Sequence, residues 1–583
     1  MRKKPRSSSL QIASSRLSLA TLLFSTLFLA LMARLFFIHL SPPSAEILQN
    51  IADNQYQNSI QIAPYRGTIY DHRHTPLAIS IKAPSLAINP RVFSPSPKEL
   101  SILAKALAMP IAKIEKLSQK NRYFTWLKRQ VSEETAEAIK NLNLAGLHFL
   151  TEPARFYPSS QLASTLIGYV GLDDHGLIGL EHKYDSLLKG SGSQTIGLKD
   201  ARGKGLYLQP AKAVPQKAGN SIFLTLDLAI QEIAFNALLS GVKEAGAKKG
   251  FALVADPHTG RILAIANVPS FNPNQTRFSM EDTQNLAASF LFEPGSVMKP
   301  FTVALALQDH LFNAEDILNC EKSGRFLVGR NYIHDDHPKE LLSVKDVLVH
   351  SSNIGTFKIA SKLGKKRLYD GFLAFGFQTP SAEITLPGQT GGRIEPYEKW
   401  SQIRFANIAF GQGLLVSGLE IIKAYSILAN GGFLIAPYLV ERIESAKGEV
   451  LYNHQNDPYI RVLDKDISAK MRQILAEVVT SGTGSNAQTQ TYTTAGKTGT
   501  AEKIDPLTKA YSPTKRIANF AGFAPVLDPH LAIYVVIDEP QKKPYYGAKW
   551  AAPVFSEIAE RTLRYLNVAP DKLDKKKKVI ANI

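Results

Sequence analysis

Ser296 stands three residues before Lys299 in the stretch Phe292 to Leu307, at what reads as the opening of a buried helix. Positions i and i+3 are neighbours on a helix, so the Lys299 amine comes within hydrogen-bonding reach of the Ser296 hydroxyl. A serine is a weak nucleophile until a base takes its proton. A lysine whose pKa is lowered by partial burial and neighbouring cations can be that base near neutral pH. Pro294 and Gly295 make the turn into the helix, and Pro300 falls in its first turn, where a missing N–H costs little. The helix start also offers positive potential to an oxyanion. Spacing alone decides little, because Ser-x-x-Lys also occurs at Ser186 to Lys189, Ser240 to Lys243 and Ser512 to Lys515. Order distinguishes Ser296: Ser351-Ser352-Asn353 and then Lys497-Thr498-Gly499-Thr500 follow it along the chain.

The elements around these clusters can be read from their patterning. Asn220 to Leu239 passes from a strand into an amphipathic helix, and Phe251 to Ser270 reads as a hairpin about Asp256-Pro257-His258-Thr259-Gly260. Ser351-Ser352-Asn353 lies at the seam between two helices, with Asn353 as a cap or a site-facing amide. Helices follow from Ile403 onward in IRFANIAFGQGLLVSGLEIIKAYSILANGG, with turns at Gly411, Gly413, Gly431 and Gly432. Thr493 to Lys503, Asn519 to Leu527 and His530 to Pro540 read as three successive strands. Their short connections require antiparallel pairing, since a parallel neighbour needs a crossover. Ala552 to Leu566 is a final helix packing across them.

The remaining chain sets the context. At 583 residues, 44% hydrophobic and 20% charged, the protein is folded and too long for one core. A net charge of +18 raises nucleic acid as a partner, but no nucleic-acid motif accompanies it. The basic run Lys575 to Lys578 reads as a solvated tail. Cys320 is the single cysteine, so no intramolecular disulfide forms, and it reads as an inert half-buried thiol. Residues 17–40 form an apolar run interrupted only by Arg34 and preceded by Arg2, Lys3, Lys4, Arg6 and Arg16. The run is long enough to cross a bilayer, lacks a small-x-small cleavage site directly after it, and places the cations in the cytoplasm. Between 41 and 215, Tyr65 to Ser80 reads as two short strands around a polar turn, and Leu180 to Leu188 as a helix ending at Gly190. No catalytic constellation appears there, and His72 and His74 read as surface histidines. His334, Asp335, Asp336 and His337 are metal-capable types, but adjacent residues rarely point at one centre, so no metal or other cofactor is expected.

Together the three clusters match a pattern of serine acyl-transfer enzymes, and the chain resembles the class B penicillin-binding proteins, membrane-anchored peptidoglycan transpeptidases. The resemblance runs from the anchor to about residue 566 and includes Arg66-Gly-Thr-Ile-Tyr-Asp71, Gly176-Leu-Ile-Gly-Leu-Glu181, the hairpin Asp256 to Asn274, Phe410-Gly-Gln-Gly413, Asn430-Gly-Gly432, Phe520 to Pro525 and Gly547 to Phe555. Two departures stand out: Asp71-His72-Arg73-His74 where Asp-Arg-x-Gly is usual, and Val416-Ser417-Gly418 where Thr-Pro is common. The resemblance implies an α+β transpeptidase domain, an antiparallel sheet with helices on both sides, over 216–566. It adds a cytoplasmic tail (1–16), an anchor (17–40), an elongated dimerisation-type pedestal (41–215) and a basic tail (567–583). Ser296 would attack the carbonyl between two D-alanines of a stem peptide, with Lys299 as base. Ser351 would pass a proton to the leaving amine, and Asn353 would bond the peptide and Lys299. Lys497, Thr498, Gly499 and Thr500 would bind the terminal carboxylate, and the N–H groups of Ser296 and Thr500 would form the oxyanion hole. Implied partners are stem peptides of the lipid-linked polymer, β-lactams, the membrane, a SEDS-family (FtsW-like) glycosyltransferase and other division proteins, but no nucleic acid. Length and the compact pedestal favour the septal, division-specific type over the elongation type. The rivals are a water-resolving β-lactamase or carboxypeptidase, a bifunctional class A enzyme, and a β-lactam-binding scaffold or sensor. The anchor, a pedestal without an acid/base pair, the short cytoplasmic tail and the retention of both lysines argue against them.

Overall fold

Strands Lys249–Ala255 and Leu531–Asp538 are almost wholly apolar, as strands covered on both faces must be. In the computed structural model they are neighbours in a five-stranded sheet ordered Ile262–Val268, Lys249–Ala255, Leu531–Asp538, Tyr511–Ala524, Ala495–Ile504, with every neighbouring pair antiparallel. The structure describes residues 8–40, 57–62, 64–119, 124–191, 193–199, 205–208, 217–275, 277–378, 388–455, 459–504 and 510–572. The expected hairpin and the three expected successive strands are all present. Along Leu531–Asp538, Ala532, Tyr534 and Val536 enter one core while Ile533, Val535 and Ile537 enter another, the two-residue period of a strand. Helices Leu228–Ala245 and Gly547–Tyr565 close the second core, and Gly418–Ala429 packs into the first. Fully burying each branched side chain stabilises the fold by about 1.5–3 kcal/mol. Helices therefore lie on both faces of the sheet, and Ala495–Ile504 is left as an edge.

The described residues divide into two compact units. One draws on Pro64–Lys82, Pro153–Ser191 and Lys217–Ile583, and the other on Met1–Ala63, Ala83–Glu152 and Gly192–Gln216. In the first, Ile69–Tyr70 pairs antiparallel with the start of Pro76–Ile88 and parallel with Ser221–Leu224. The turn between the first two strands is closed by Asp71, whose Oδ1 accepts from the N–H groups of Arg73 (2.9 Å) and Thr75 (2.7 Å). Its Oδ2 accepts from Leu228 N–H (3.2 Å), at the start of the helix that Asp227 caps. His74 adopts φ 63°, a left-handed conformation, at the position where the resembling family has glycine. Histidine is among the residues that tolerate it, and its ring lies 5.1 Å from that of Phe223. His74 is exposed, but His72, expected at the surface, is half-buried, with Nε2 3.6 Å from Asp227 Oδ2.

Two of the sequence motifs meet in one buried cluster. Arg66 Nε donates to Glu181 Oε2 (2.6 Å) and Arg66 Nη1 to Asp185 (2.7 Å), while Arg155 Nε donates to Glu181 Oε1 (2.7 Å). Arg66 and Glu181 side chains are fully buried. The helix expected from Leu180 to Leu188 is in fact two, Gly179–Lys183 and Asp185–Leu188. Tyr184 breaks it with φ −104° and ψ 24°, which brings the Asp185 carboxylate round to Arg66. Cys320, expected to be half-buried, is fully buried. The backbone of Gly355 passes close to it, an added Cβ on Gly355 lying 3.1 Å from its sulfur.

In the other unit, Gln57–Ile62, Ser193–Lys199 and Gly205–Leu208 form a three-stranded antiparallel sheet. Helices Pro97–Ala106, Ile111–Ser118 and Glu133–Lys140 enclose Leu86, Ile88, Leu103, Ile114, Leu127 and Ile139. Ser96 and Glu99 close a capping box at the first helix. An N-terminal helix, Ser8–Leu40, contains a 24-residue span, Ser14–Phe37, of mean hydropathy 2.0, long and apolar enough to cross a membrane. The cations Arg2, Lys3, Lys4 and Arg6 and the run Lys575 to Lys578 lie outside the described residues.

Removing one partner of a buried ion cluster leaves the others desolvated without compensation, at about 3–5 kcal/mol. Glu181→Ala is therefore expected to lower the urea midpoint of the full-length protein sharply, whereas Lys366→Ala, which breaks an exposed pair with Asp370, is expected to leave it nearly unchanged. Equal midpoints for the two variants would refute the structural role given to Glu181.

Candidate active site

The serine turn is built by a close approach. Gly295–Met298 is a single 3₁₀ turn, and the α-helix Lys299–Gln308 begins at the lysine itself, not at the serine as expected. In a 3₁₀ turn residues i and i+3 eclipse, so Ser296 and Lys299 still share a side. The N–H of Gly295 donates to the carbonyl of Gly411 (2.9 Å), and a Cβ on Gly411 would lie 2.0 Å from the Gly295 oxygen, so only glycine fits there. From below, the buried Tyr425 hydroxyl donates to the Val297 carbonyl (3.0 Å). Beside it, Glu293 accepts from Gly413 N–H (3.0 Å) and the Tyr511 hydroxyl (3.1 Å).

Within the turn, Ser296 alone is half-buried, while Val297, Met298 and Lys299 are buried. The Lys299 ammonium donates to the Ser351 carbonyl (2.6 Å) and the Ser351 hydroxyl (3.2 Å). Among the described residues its hydrogen bonds end on Ser351 and none on Ser296. Burial pushes the Lys299 amine down to about 7, with Asp335 and Asp336 offsetting part of the effect. Ser351 sits at φ 61°, a conformation that costs a non-glycine residue about 1–2 kcal/mol and that here presents its carbonyl to Lys299.

Ser352 rather than Asn353 caps the helix Asn353–Leu363, its hydroxyl accepting from Gly355 N–H (2.9 Å). Asp335 secures the same helix end: Oδ2 accepts from Ser352 Oγ (2.5 Å), and Oδ1 from the N–H groups of Asn353 (2.5 Å) and Ile354 (3.1 Å). The Asn353 side-chain amide donates to the His334 carbonyl (2.7 Å). Its expected bond to Lys299 is not among those described, although Asn353 does line the cleft.

Lys497, Thr498, Gly499 and Thr500 lie on the edge strand Ala495–Ile504. Lys497 is fully buried and donates to the Thr498 carbonyl (3.3 Å) and to the hydroxyls of Thr498 (3.3 Å) and Thr483 (3.4 Å). Burial, and then the charge of Lys299, hold its amine well below the usual lysine range. A Cβ on Gly499 would lie 2.4 Å from Asn519 Oδ1 and 2.7 Å from the Pro294 carbonyl, so glycine lets the strand run against the serine turn. The Thr500 carbonyl faces Gly295, an added Cβ there lying 3.1 Å away. A residue in an antiparallel strand sends its N–H and C=O to the same edge, so the Thr500 N–H also faces the serine turn. A cleft of about 640 Å³ opens over these groups, lined by Ser296, Ser351, Asn353, Thr483, Thr498 and Thr500 among others. The fold thus brings all three sequence clusters together. Two supporting residues were not legible as such. Asp335 attracted notice only as a metal-capable type, and Thr483, in Ser481-Gly482-Thr483-Gly484, carried only a turn signal.

A half-buried hydroxyl, a buried amine titrating near neutrality and backbone donors on an edge strand are the parts of a serine acyl transfer. Residues 250–560 match the profile of the penicillin binding protein transpeptidase domain, more than half of the chain. The chain belongs to the penicillin-binding protein transpeptidases. Residues 61–224 match the penicillin-binding protein dimerisation domain, which makes this a penicillin-binding protein of class B. It is 33% identical over 564 residues to the probable peptidoglycan D,D-transpeptidase PbpC of Pseudomonas aeruginosa, covering 96% of each chain. It is 30% identical to the peptidoglycan D,D-transpeptidase FtsI of Escherichia coli K12, covering 91% of this chain and 88% of that one. Among solved structures, penicillin binding protein 3 of Mycobacterium tuberculosis complexed with aztreonam superposes with a TM-score of 0.68 at 26% identity, covering 88% of this chain and 98% of that one.

A depressed lysine pKa means that the unfolded state binds the proton more tightly. The penalty is full below about pH 7 and vanishes as pH rises to the ordinary lysine value of 10.5. Lys299→Met is therefore expected to gain stability, on the order of 2–4 kcal/mol at pH 6, with the gain shrinking between pH 7 and 10. Urea unfolding at pH 6 and pH 9.5 checks this, and a gain that grows with pH would contradict the burial of the charge.

Proposed function

We propose that this penicillin-binding protein is a peptidoglycan D,D-transpeptidase of septal wall synthesis that works through an acyl-enzyme on Ser296. The observation that carries the reading is the half-buried Ser296 above a buried Lys299 whose amine titrates near 7. Neutral Lys299 takes the Ser296 proton as Oγ adds to the carbonyl between the two D-alanines of a donor stem peptide. The N–H groups of Ser296 and Thr500 hold the oxyanion, and Lys497, Thr498 and the backbone at Gly499 receive the terminal carboxylate. As the C–N bond breaks, the proton passes from Lys299 through Ser351 to the leaving nitrogen, and D-alanine departs. The Lys299–Ser351 hydroxyl contact of 3.2 Å is the first link of that relay. Asn353 orients the peptide. An amine of a second stem peptide then attacks the ester carbonyl, and Oγ regains a proton as the cross-link forms. A β-lactam, resembling D-alanyl-D-alanine, leaves a long-lived ester on Ser296.

The likeness to FtsI over most of both chains supports the division role. The polymer to be cross-linked is supplied by another enzyme, for which a SEDS-family glycosyltransferase of the FtsW kind in the same membrane is the fitting partner. In this reading 17–40 is the anchor, 41–215 the pedestal, 216–566 the transpeptidase domain and 567–583 a tail. With Arg2, Lys3, Lys4, Arg6 and Arg16 before the anchor, the N-terminus stays in the cytoplasm and the catalytic unit lies outside it.

A fluorescent penicillin is expected to label the full-length protein on Ser296 alone. Ser296→Ala should abolish labelling, and Lys299→Arg, which keeps the cation but cannot give up its proton, should slow acylation at least about a hundredfold. The wild-type rate should rise with pH through about 7, following deprotonation of Lys299. Normal labelling of Ser296→Ala would end the assignment, and a Lys299→Arg rate equal to wild type would remove Lys299 as the base. A reporter active only in the cytoplasm, fused after Ile583, is expected to stay dark. Full activity there would invert the topology.

A further inference from the structure

We propose that Glu502 and Arg516 form a subsite for the residue preceding the two D-alanines of the donor, and that they select a diamino diacid, bearing both an ammonium and a carboxylate, over a diamino monoacid such as lysine. This inference rests on the acyl-transfer reading of Ser296 and concerns what lies next to it. The strand Ala495–Ile504 is the sheet's open edge beside the cleft, so a peptide with its reacting carbonyl at Thr500 can extend along it as an added strand. With the terminal carboxylate at Lys497 and Thr498, the chain before the reacting D-alanine continues toward residue 502. Thr500 and Glu502 are two positions apart on one face, about 7 Å along the strand, and both line the cleft.

Arg516 is the cross-strand partner of Glu502 in the sheet register, and it also lines the cleft. Its Nη2 lies 2.7 Å from Glu502 Oε1, with side-chain exposures of 19% for Arg516 and 40% for Glu502. Its Nη1 donates to the Ser512 carbonyl (2.5 Å). That second anchor matters, because the guanidinium stays in place when the Glu502 carboxylate turns to another cation. A zwitterionic amino-acid end can then exchange partners with the resident pair, its ammonium on Glu502 and its carboxylate on Arg516, so that no charge is left unpaired. A side chain ending in an ammonium alone satisfies Glu502 and leaves Arg516 with one partner fewer. One carrying only a carboxylate meets the charge of Glu502. The exposed Lys543 on the cleft lining adds to the attraction for a carboxylate.

The test uses penicillins whose side chain reproduces that end. The second-order acylation rate of the full-length protein in detergent is measured with α-aminoadipoyl penicillin, its N-acetyl derivative, its side-chain carboxamide and phenylacetyl penicillin. Wild type is expected to favour the zwitterionic compound about tenfold over each of its two blocked forms. Glu502→Gln should bring the ratio to the N-acetyl form close to one, and Arg516→Gln should do so for the carboxamide. Ratios near one in wild type, or ratios unchanged in both variants, would overturn the subsite while leaving the acyl-enzyme intact. Failure of phenylacetyl penicillin to acylate wild type at all would instead overturn the Ser296 reading, and the subsite with it.

Discussion

The site depends on one buried amine. Taking the Lys299 ammonium out of water is costly, and the structure offsets that cost with two acceptors from a single residue, the carbonyl and hydroxyl of Ser351. The carbonyl can serve because Ser351 is held at φ 61°, strain that the surrounding structure must over-determine. Asp335 supplies much of that constraint, accepting three bonds at the start of the next helix. The second lysine tightens the arrangement, since Lys299 and Lys497 are both buried and a charge on one disfavours a charge on the other. The same burial brings the amine down to about 7, where part of the population is unprotonated near neutral pH.

Ser296 is placed by backbone rather than by its own side chain. The Gly295 N–H is held by the Gly411 carbonyl, the Val297 carbonyl by Tyr425, and Gly499 allows the edge strand to pass within contact of the Pro294 carbonyl. Three distant segments therefore fix one turn, the kind of preorganisation that lets an oxyanion hole act without rearranging. The edge strand has a double use. Its inner side completes the sheet, and its outer side is left open along the cleft.

Away from the cleft, the motifs of the first two hundred or so residues have structural explanations. Arg66 and Glu181, from motifs more than a hundred residues apart, meet in one buried ion cluster. Asp71 closes its own turn and also holds the start of the helix Leu228–Ala245. The departure at His74 is absorbed because histidine tolerates the left-handed turn and packs its ring beside Phe223.

Local order along the chain specifies the elements and the chemistry that depends on residue spacing. The apolar strand Leu531–Asp538, the hairpin around Asp256 to Gly260, the antiparallel run of the last three strands and the apolar span near the N-terminus are all set by short-range patterning and connection length. The serine–lysine spacing and the two clusters that follow it were legible for the same reason. Tertiary structure decided what those residues touch. That Lys299 bonds Ser351 and not Ser296, that Asn353 turns to the His334 carbonyl, that Asp335 caps a helix and that Arg516 faces Glu502 all depend on segments far apart in the chain or on side-chain rotamers. The Leu180 to Leu188 helix splits at Tyr184 for the same reason, the propensity of a short segment giving way to a buried ion cluster that includes Asp185. Burial, and with it the proton affinity of both lysines, is a property of the folded environment that no local window of sequence contains.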